Sequence, residues 1–122
     1  MEIGKKAEAR TLVSESNTAK AVKSGNLDVF STPMMVALME EAACNCLGLE
    51  SGQSTVGTYI AVEHLAASAL GAEITATATL IAVERRKLSF ELVAYEGDKE
   101  IGKGTHTRFV IDAEKFMSKV SK

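Results

Sequence analysis

Phe30-Ser31-Thr32-Pro33-Met34-Met35-Val36-Ala37-Leu38-Met39-Glu40-Glu41-Ala42-Ala43-Cys44-Asn45-Cys46-Leu47-Gly48 carries the punctuation of a single helix. Pro33, the only proline of the chain, suits the first helical position, where no N–H is needed. A residue before proline leans toward extended geometry, so Thr32 reads as the N-cap. Met, Ala, Leu and Glu favour helix, and Gly48 supplies a stop. The spacing predicts a helix over residues 33–47. Met34, Met35, Val36, Ala37, Leu38, Met39, Ala42, Ala43 and Cys44 cover most of its wheel. A helix apolar nearly all round belongs inside a protein, so something must wrap it.

The rest of the chain supplies the wrapping. Residues 7–15, with Thr11, Leu12 and Val13, suit a short strand, and the small, polar residues 16–27 read as a loop or loose turn. Residues 55–67 are rich in Val, Ile, Thr and Tyr. Residues 72–84 alternate, with Thr75, Thr77 and Thr79 on one face and Ile74, Ala76, Ala78 and Leu80 on the other. Residues 87–95 alternate again through Leu88, Phe90, Leu92 and Ala94, and residues 100–111 form a fourth such segment. Gly71, Glu84-Arg85-Arg86-Lys87 and Glu96-Gly97-Asp98-Lys99 read as hairpin connections. Residues 112–120 suit one short helix. The order predicts one α+β domain over residues 1–122, an antiparallel sheet curled round a single buried helix.

Composition narrows the function. The chain has 122 residues, a net charge of −2, no tryptophan and no basic run, which argues against nucleic-acid binding. No apolar run is long enough to span a membrane, and Met1–Lys6 lacks an apolar signal core, so the expected location is cytoplasmic. Cys44 and Cys46 sit two apart on a helix and point away from each other. They read as small buried side chains rather than a disulfide or a zinc pair, and no zinc spacing, phosphate-cradling loop or dinucleotide fingerprint is present. No metal or cofactor is expected.

Three polar residues stand out from this frame. Glu40 has Val36, Ala37, Ala43 and Cys44 as its helix neighbours, none of them a charge partner. A carboxylate buried that way is a candidate acid, base or nucleophile; alternatively it reaches the sheet edge and is solvated. His64 alternates with Ile60, Val62 and Ala66 on an apolar face, as a hydrogen-bonded core residue or as a catalyst. Thr32 is explained by capping, although its hydroxyl is also a nucleophile given a nearby base, and a helix start offers N–H groups to an oxyanion. Thr32 and Glu40 lie about 12 Å apart along the helix at about 1.5 Å per residue. Either His64 bridges them, or a second copy of the chain supplies part of the set. Further on, Gly102-Lys103-Gly104-Thr105-His106-Thr107-Arg108 places two glycines inside a strand, a sign of a bulge or of close approach by a ligand or another backbone. Arg108 suits a phosphate, carboxylate or carbonyl; His106 and Arg108 equally suit a solvated strand face.

The stretch Thr32–Ala42, the pair Ser54-Thr55-Val56-Gly57 and Val62-Glu63-His64, and Ile101–Arg108 together resemble the fluoroacetyl-CoA thioesterase-like family of hotdog-fold proteins, over residues 8–118. The resemblance implies a five-stranded antiparallel sheet wrapped around one central helix, a homodimer whose sheets join, with pairing into tetramers left open, and hydrolysis of an acyl-CoA thioester. It puts the family's catalytic Thr, Glu and His on Thr32, Glu40 and His64, and its substrate-contacting Gly and Arg on Gly57 and Arg108. Pro33 stands where the dedicated fluoroacetyl enzyme has glycine, and residues 24–31 offer only Leu27 and Phe30 as apolar lid candidates. The departures imply a different short or medium acyl group. Two rivals share the fold: a non-catalytic acyl-CoA binding or sensing module, and a dehydratase or hydratase acting on related thioesters.

Overall fold

A computed structural model describes residues 1–121. The chain runs β1 (Lys6–Leu12), α1 (Thr32–Asn45), β2 (Gln53–His64), β3 (Glu73–Glu84), β4 (Lys87–Glu96), β5 (Lys99–Asp112) and α2 (Ala113–Val120). All strand pairs are antiparallel, in the order β1-β3-β4-β5-β2. The expected α+β arrangement, a five-stranded sheet around one helix, is present.

One connection differs from expectation. Gly71 lies in the link between β2 and β3, yet these strands are not neighbours: β2 pairs with β5 and β3 with β1 and β4. The link is a crossover, not a hairpin. The turn signal at Gly71 is local, whereas the choice of partner strand is made by the whole sheet. The other two hairpins close where expected, at Glu84↔Lys87 and Glu96↔Lys99.

Alternation selects the inner face. Ile74, Ala76, Ala78 and Leu80 of β3, Leu88, Phe90, Leu92 and Ala94 of β4 and Ala9 of β1 are all buried, against Met35, Leu38, Met39, Ala42 and Ala43 of α1. Alanines face alanines where α1 crosses β1 and β3, so the helix can lie close to the sheet. Over β5, the Met35 thioether rests on Gly102, where a Cβ would come within 2.5 Å of its sulfur. At Gly104 a Cβ would collide with the Ala61 carbonyl oxygen of β2. The two strand glycines therefore admit a helix side chain and a neighbouring backbone, not a ligand.

The helix is not buried all round. Met34, Ala37, Glu41 and Cys44, spaced three and four apart, form an exposed stripe, because one sheet layer covers only one side. Cys44 is thus exposed and only Cys46 is buried; both are free thiols. Before the helix, the expected loop is pinned in place. Asn17 is buried and bonds the Ser14 amide and the Leu12 carbonyl, while Phe30 is part of the core. Phe30 is therefore no lid, and Leu27 is solvent-exposed.

Candidate active site

The start of α1 makes the first half of the site. The N-cap is Ser31, not Thr32: the Ser31 hydroxyl accepts from the Met34 amide at 3.2 Å in an extended backbone. Capping by Ser31 moves the helix start back by one residue and leaves the Thr32 side chain unengaged by its own helix. Thr32 Oγ1 instead meets His64 Nδ1 at 2.7 Å, at the far end of β2. Burial lowers the His64 pKa below its ordinary 6.5, so the ring is neutral near pH 7; with its proton on Nε2, Nδ1 accepts the Thr32 hydroxyl proton, and in the other tautomer Nδ1–H donates to the hydroxyl oxygen. Its other nitrogen, Nε2, is buried and has no partner among the described residues. The same start is poor in donors. Pro33 has no N–H, and the amides of Met34 and Met35 are taken by the Ser31 hydroxyl and carbonyl; an oxyanion site there is left with Thr32's own amide at most.

Glu40 makes the second half. Its charge partner is not on the helix but across the sheet: Arg108 Nη1 lies 3.6 Å from Glu40 Oε2. Glu40 is partly exposed and Arg108 buried. Arg108 is anchored by Nε–H to Thr55 Oγ1 at 2.8 Å and by Nη2–H to the Thr55 carbonyl at 3.1 Å. Its Nη1 also donates to His106 Nε2 at 3.2 Å. His106 Nδ1 lies 2.7 Å from the Tyr59 carbonyl oxygen, which can only accept, so Nδ1 carries the ring proton. Neither His106 nor Arg108 is on a solvated face; both point inward, only 2% and 7% exposed.

A bulge in β2 brings these groups together. Gly57 pairs with Arg108 and Tyr59 with Thr107, so Thr58 is one residue too many. The extra residue reverses the alternation. Thr55 and Gly57 before it, and Ile60, Val62 and His64 after it, all share the inner face with the β5 residues they pair with. A side chain at Gly57 would crowd this group: a Cβ would lie 2.9 Å from Glu40 Oε2 and 3.1 Å from both Arg108 Nη1 and His106 Cε1.

Thr32 and His64 therefore form one pair, and Glu40, Gly57 and Arg108 form a second group. Within one chain His64 makes no bond to Glu40. Thr55, His106 and the Tyr59 carbonyl complete the second group. Thr55 lies in the Ser54–Gly57 stretch that carries part of the resemblance, but it has no role of its own there, since Thr is an ordinary strand residue. Beside the Thr32–His64 pair opens a cavity of about 300 Å³, walled by Ala19, Val29, Phe30 and Ala66. No cluster of metal-binding residues occurs among the described residues.

A helix wrapped by a five-stranded antiparallel sheet, with the Thr32 hydroxyl and Glu40 carboxylate of α1 facing β2, is the arrangement of the hotdog-fold thioesterases. The family model described as fluoroacetyl-CoA-specific thioesterase matches residues 13–114. A fluoroacetyl-CoA thioesterase of Streptantibioticus cattleyicolor is 47% identical over 95 residues, 76% of this chain and 68% of that protein. The crystal structure of the fluoroacetyl-CoA-specific thioesterase FlK superposes with a TM-score of 0.93 at 38% identity, covering 99% of this chain and 96% of that one. A Thermus thermophilus thioesterase superfamily member does so with a TM-score of 0.90 at 25% identity, over 98% and 90% of the two chains. The chain belongs to the fluoroacetyl-CoA-specific thioesterase family.

Proposed function

We propose that this protein hydrolyses a short or medium acyl-CoA thioester to the free acid and coenzyme A, at a site shared by two copies of the chain. The observation that carries the reading is the division of the site. Thr32 and His64 are bonded at 2.7 Å, Glu40 and Arg108 are paired at 3.6 Å, and no bond joins the two pairs. Both pairs lie along β2, a twelve-residue strand whose outer edge has no partner among the described residues. An open edge of that length is a template for strand pairing, and a two-fold axis across it would bring one copy's Thr32–His64 pair toward the other's Glu40. The relatives named for acyl-CoA thioester hydrolysis supply the substrate class.

In this scheme the acyl carbonyl approaches the bare backbone of Gly57, beside Arg108. Glu40 acts on the carbonyl carbon directly or takes a proton from the attacking water. Alternatively, Thr32 attacks after its proton passes to His64. In each route a C–O bond to the acyl carbon forms, the C–S bond breaks and the coenzyme A sulfur leaves, taking up a proton from water or from His64 to become the thiol. Where Glu40 or Thr32 has attacked, a water then adds to the acyl-enzyme carbonyl, the bond to the side-chain oxygen breaks, and the acid leaves. The cavity beside Thr32 is at the low end for small-molecule pockets, which favours a short or medium acyl chain. A cytoplasmic location fits such a substrate, and among the described residues no helix is long and apolar enough to cross a membrane.

The test is thiol release from a panel of acyl-CoAs by the wild-type protein and by Glu40→Gln. Gln keeps the shape and one oxygen for Arg108 Nη1 while it removes the charge and the basic second oxygen, so the fold should survive while turnover falls by at least about a hundredfold. Turnover near wild type in Glu40→Gln would make Glu40 structural and overturn the scheme. Absence of thiol release from every acyl-CoA, with binding intact, would move the protein to the binding class.

A further inference from the structure

His106 is the one buried titratable group near the site to which the hydrolytic scheme gives no task. It lies on the inner face of β5 and is 2% exposed, with Phe90 packed against its ring at 5.8 Å between centroids. Its two nitrogens are used differently. Nδ1–H donates to the Tyr59 carbonyl, the first residue past the β2 bulge, at 2.7 Å. Nε2 accepts from Arg108 Nη1 at 3.2 Å. Arg108 has its Nε and Nη2 edge tied to Thr55, so Nη1 is the corner that faces Glu40, and His106 is what holds that corner from the other side. Arg108 is buried, so an Nη1 hydrogen that lost this acceptor would stay unpaired or turn away.

We propose that His106 is a positioning residue for the Glu40 carboxylate: as the neutral, Nδ1-protonated ring it fixes Arg108 Nη1 against Glu40 and ties that ion pair to the bulge of the edge strand. The proposal rests on the hydrolytic role of Glu40. The charged groups facing the ring are Arg108 and Glu40. Burial, with the guanidinium beside it, pulls the His106 pKa down, against smaller opposing effects of the Tyr59 carbonyl and Glu40. The ring therefore keeps its accepting nitrogen at neutral pH. Protonation at low pH would set a second cation against Arg108 and release it.

Two substitutions separate this role from core filling. His106→Asn keeps a donor for the Tyr59 carbonyl and is too short to reach Arg108. His106→Gln places an oxygen near the position of Nε2. With kcat and KM measured per folded enzyme and thermal unfolding followed alongside, His106→Asn should lower kcat by about ten- to a hundredfold with KM nearly unchanged, the scale of a slightly misplaced catalytic group. His106→Gln should lose about threefold or less. Equal kcat losses in the two variants, or losses that only track unfolding, would overturn the proposal. Imidazole ¹⁵N NMR of the wild-type protein gives a readout independent of turnover: Nδ1 protonated and Nε2 bare at pH 7 is expected, and a proton on Nε2 would overturn the assignment. A wild-type protein that released no thiol would refute the hydrolase reading alone. The NMR result would then decide whether His106 holds Arg108: Nδ1 protonated with Nε2 bare supports it, and a proton on Nε2 overturns it.

Discussion

Ser31 and Thr32 divide two tasks that the sequence assigned to one hydroxyl. Ser31 caps the helix and Thr32 faces His64. Their variants should therefore part company. Ser31→Ala should cost about 1 kcal/mol of stability, a typical price of a lost N-cap, with turnover per folded molecule kept. Thr32→Ala should change stability by under about 0.5 kcal/mol, as at other exposed sites, and lose most of its turnover. Denaturant unfolding and thiol release measure the two. His64 adds a pH signature. Its folded pKa lies below 6.5, so the neutral base persists as pH falls past 6.5, and the acid limb of kcat/KM should sit below that value. Both histidines bind protons less readily in the fold than when unfolded. Their linkage leaves stability whole above pH 6.5 and erodes it as pH falls below, which denaturant melts across pH 5–7.5 would reveal. Glu40 and His64 could be picked out because each is polar in an apolar local pattern, and Thr32 because it stands at the helix start. His106 and Arg108 could be noticed but not oriented, because which side of a strand faces inward depends on pairing and bulges.

Among the elements, β2 does most to organise the site, through the single extra residue Thr58. Seven positions separate Gly57 from His64, and strict alternation would put them on opposite faces; the bulge puts them on the same one. Gly57, a glycine inside a strand, is the one hint of it, but the same signal at Gly102 and Gly104 marks no bulge in the β2–β5 register, so the sequence located every strand to within a few residues but not this reversal. The crossover at Gly71 escaped for the related reason that partner choice is non-local. The hairpins were readable from their turns, although the two differ. Gly97 takes the left-handed conformation freely at φ 59°, while Arg85 takes it at φ 58° with a side chain. A left-handed L-residue costs about 1–2 kcal/mol and glycine's extra unfolded freedom about 0.5–1 kcal/mol, so Arg85→Gly should stabilise the protein by about 0.5–1 kcal/mol in denaturant unfolding, without altering thiol release.

On the scale of the molecule, the helix-in-sheet plan followed from two signals: an apolar helix with clear ends, and four alternating segments behind it. What the local signals could not carry is the unpaired edge of β2, since an edge is defined only once the strand order is known. That edge has a consequence for mixtures of defective chains. If each site takes Thr32 and His64 from one copy and Glu40 from the other, then chains bearing Thr32→Ala and chains bearing Glu40→Gln, each inert alone, should complement one another when unfolded and refolded together. In a two-fold pair one site of every mixed dimer is then intact, and random pairing would restore about a quarter of wild-type activity. A mixture that stayed inert although mixed dimers had formed would mean that each copy carries its own complete site.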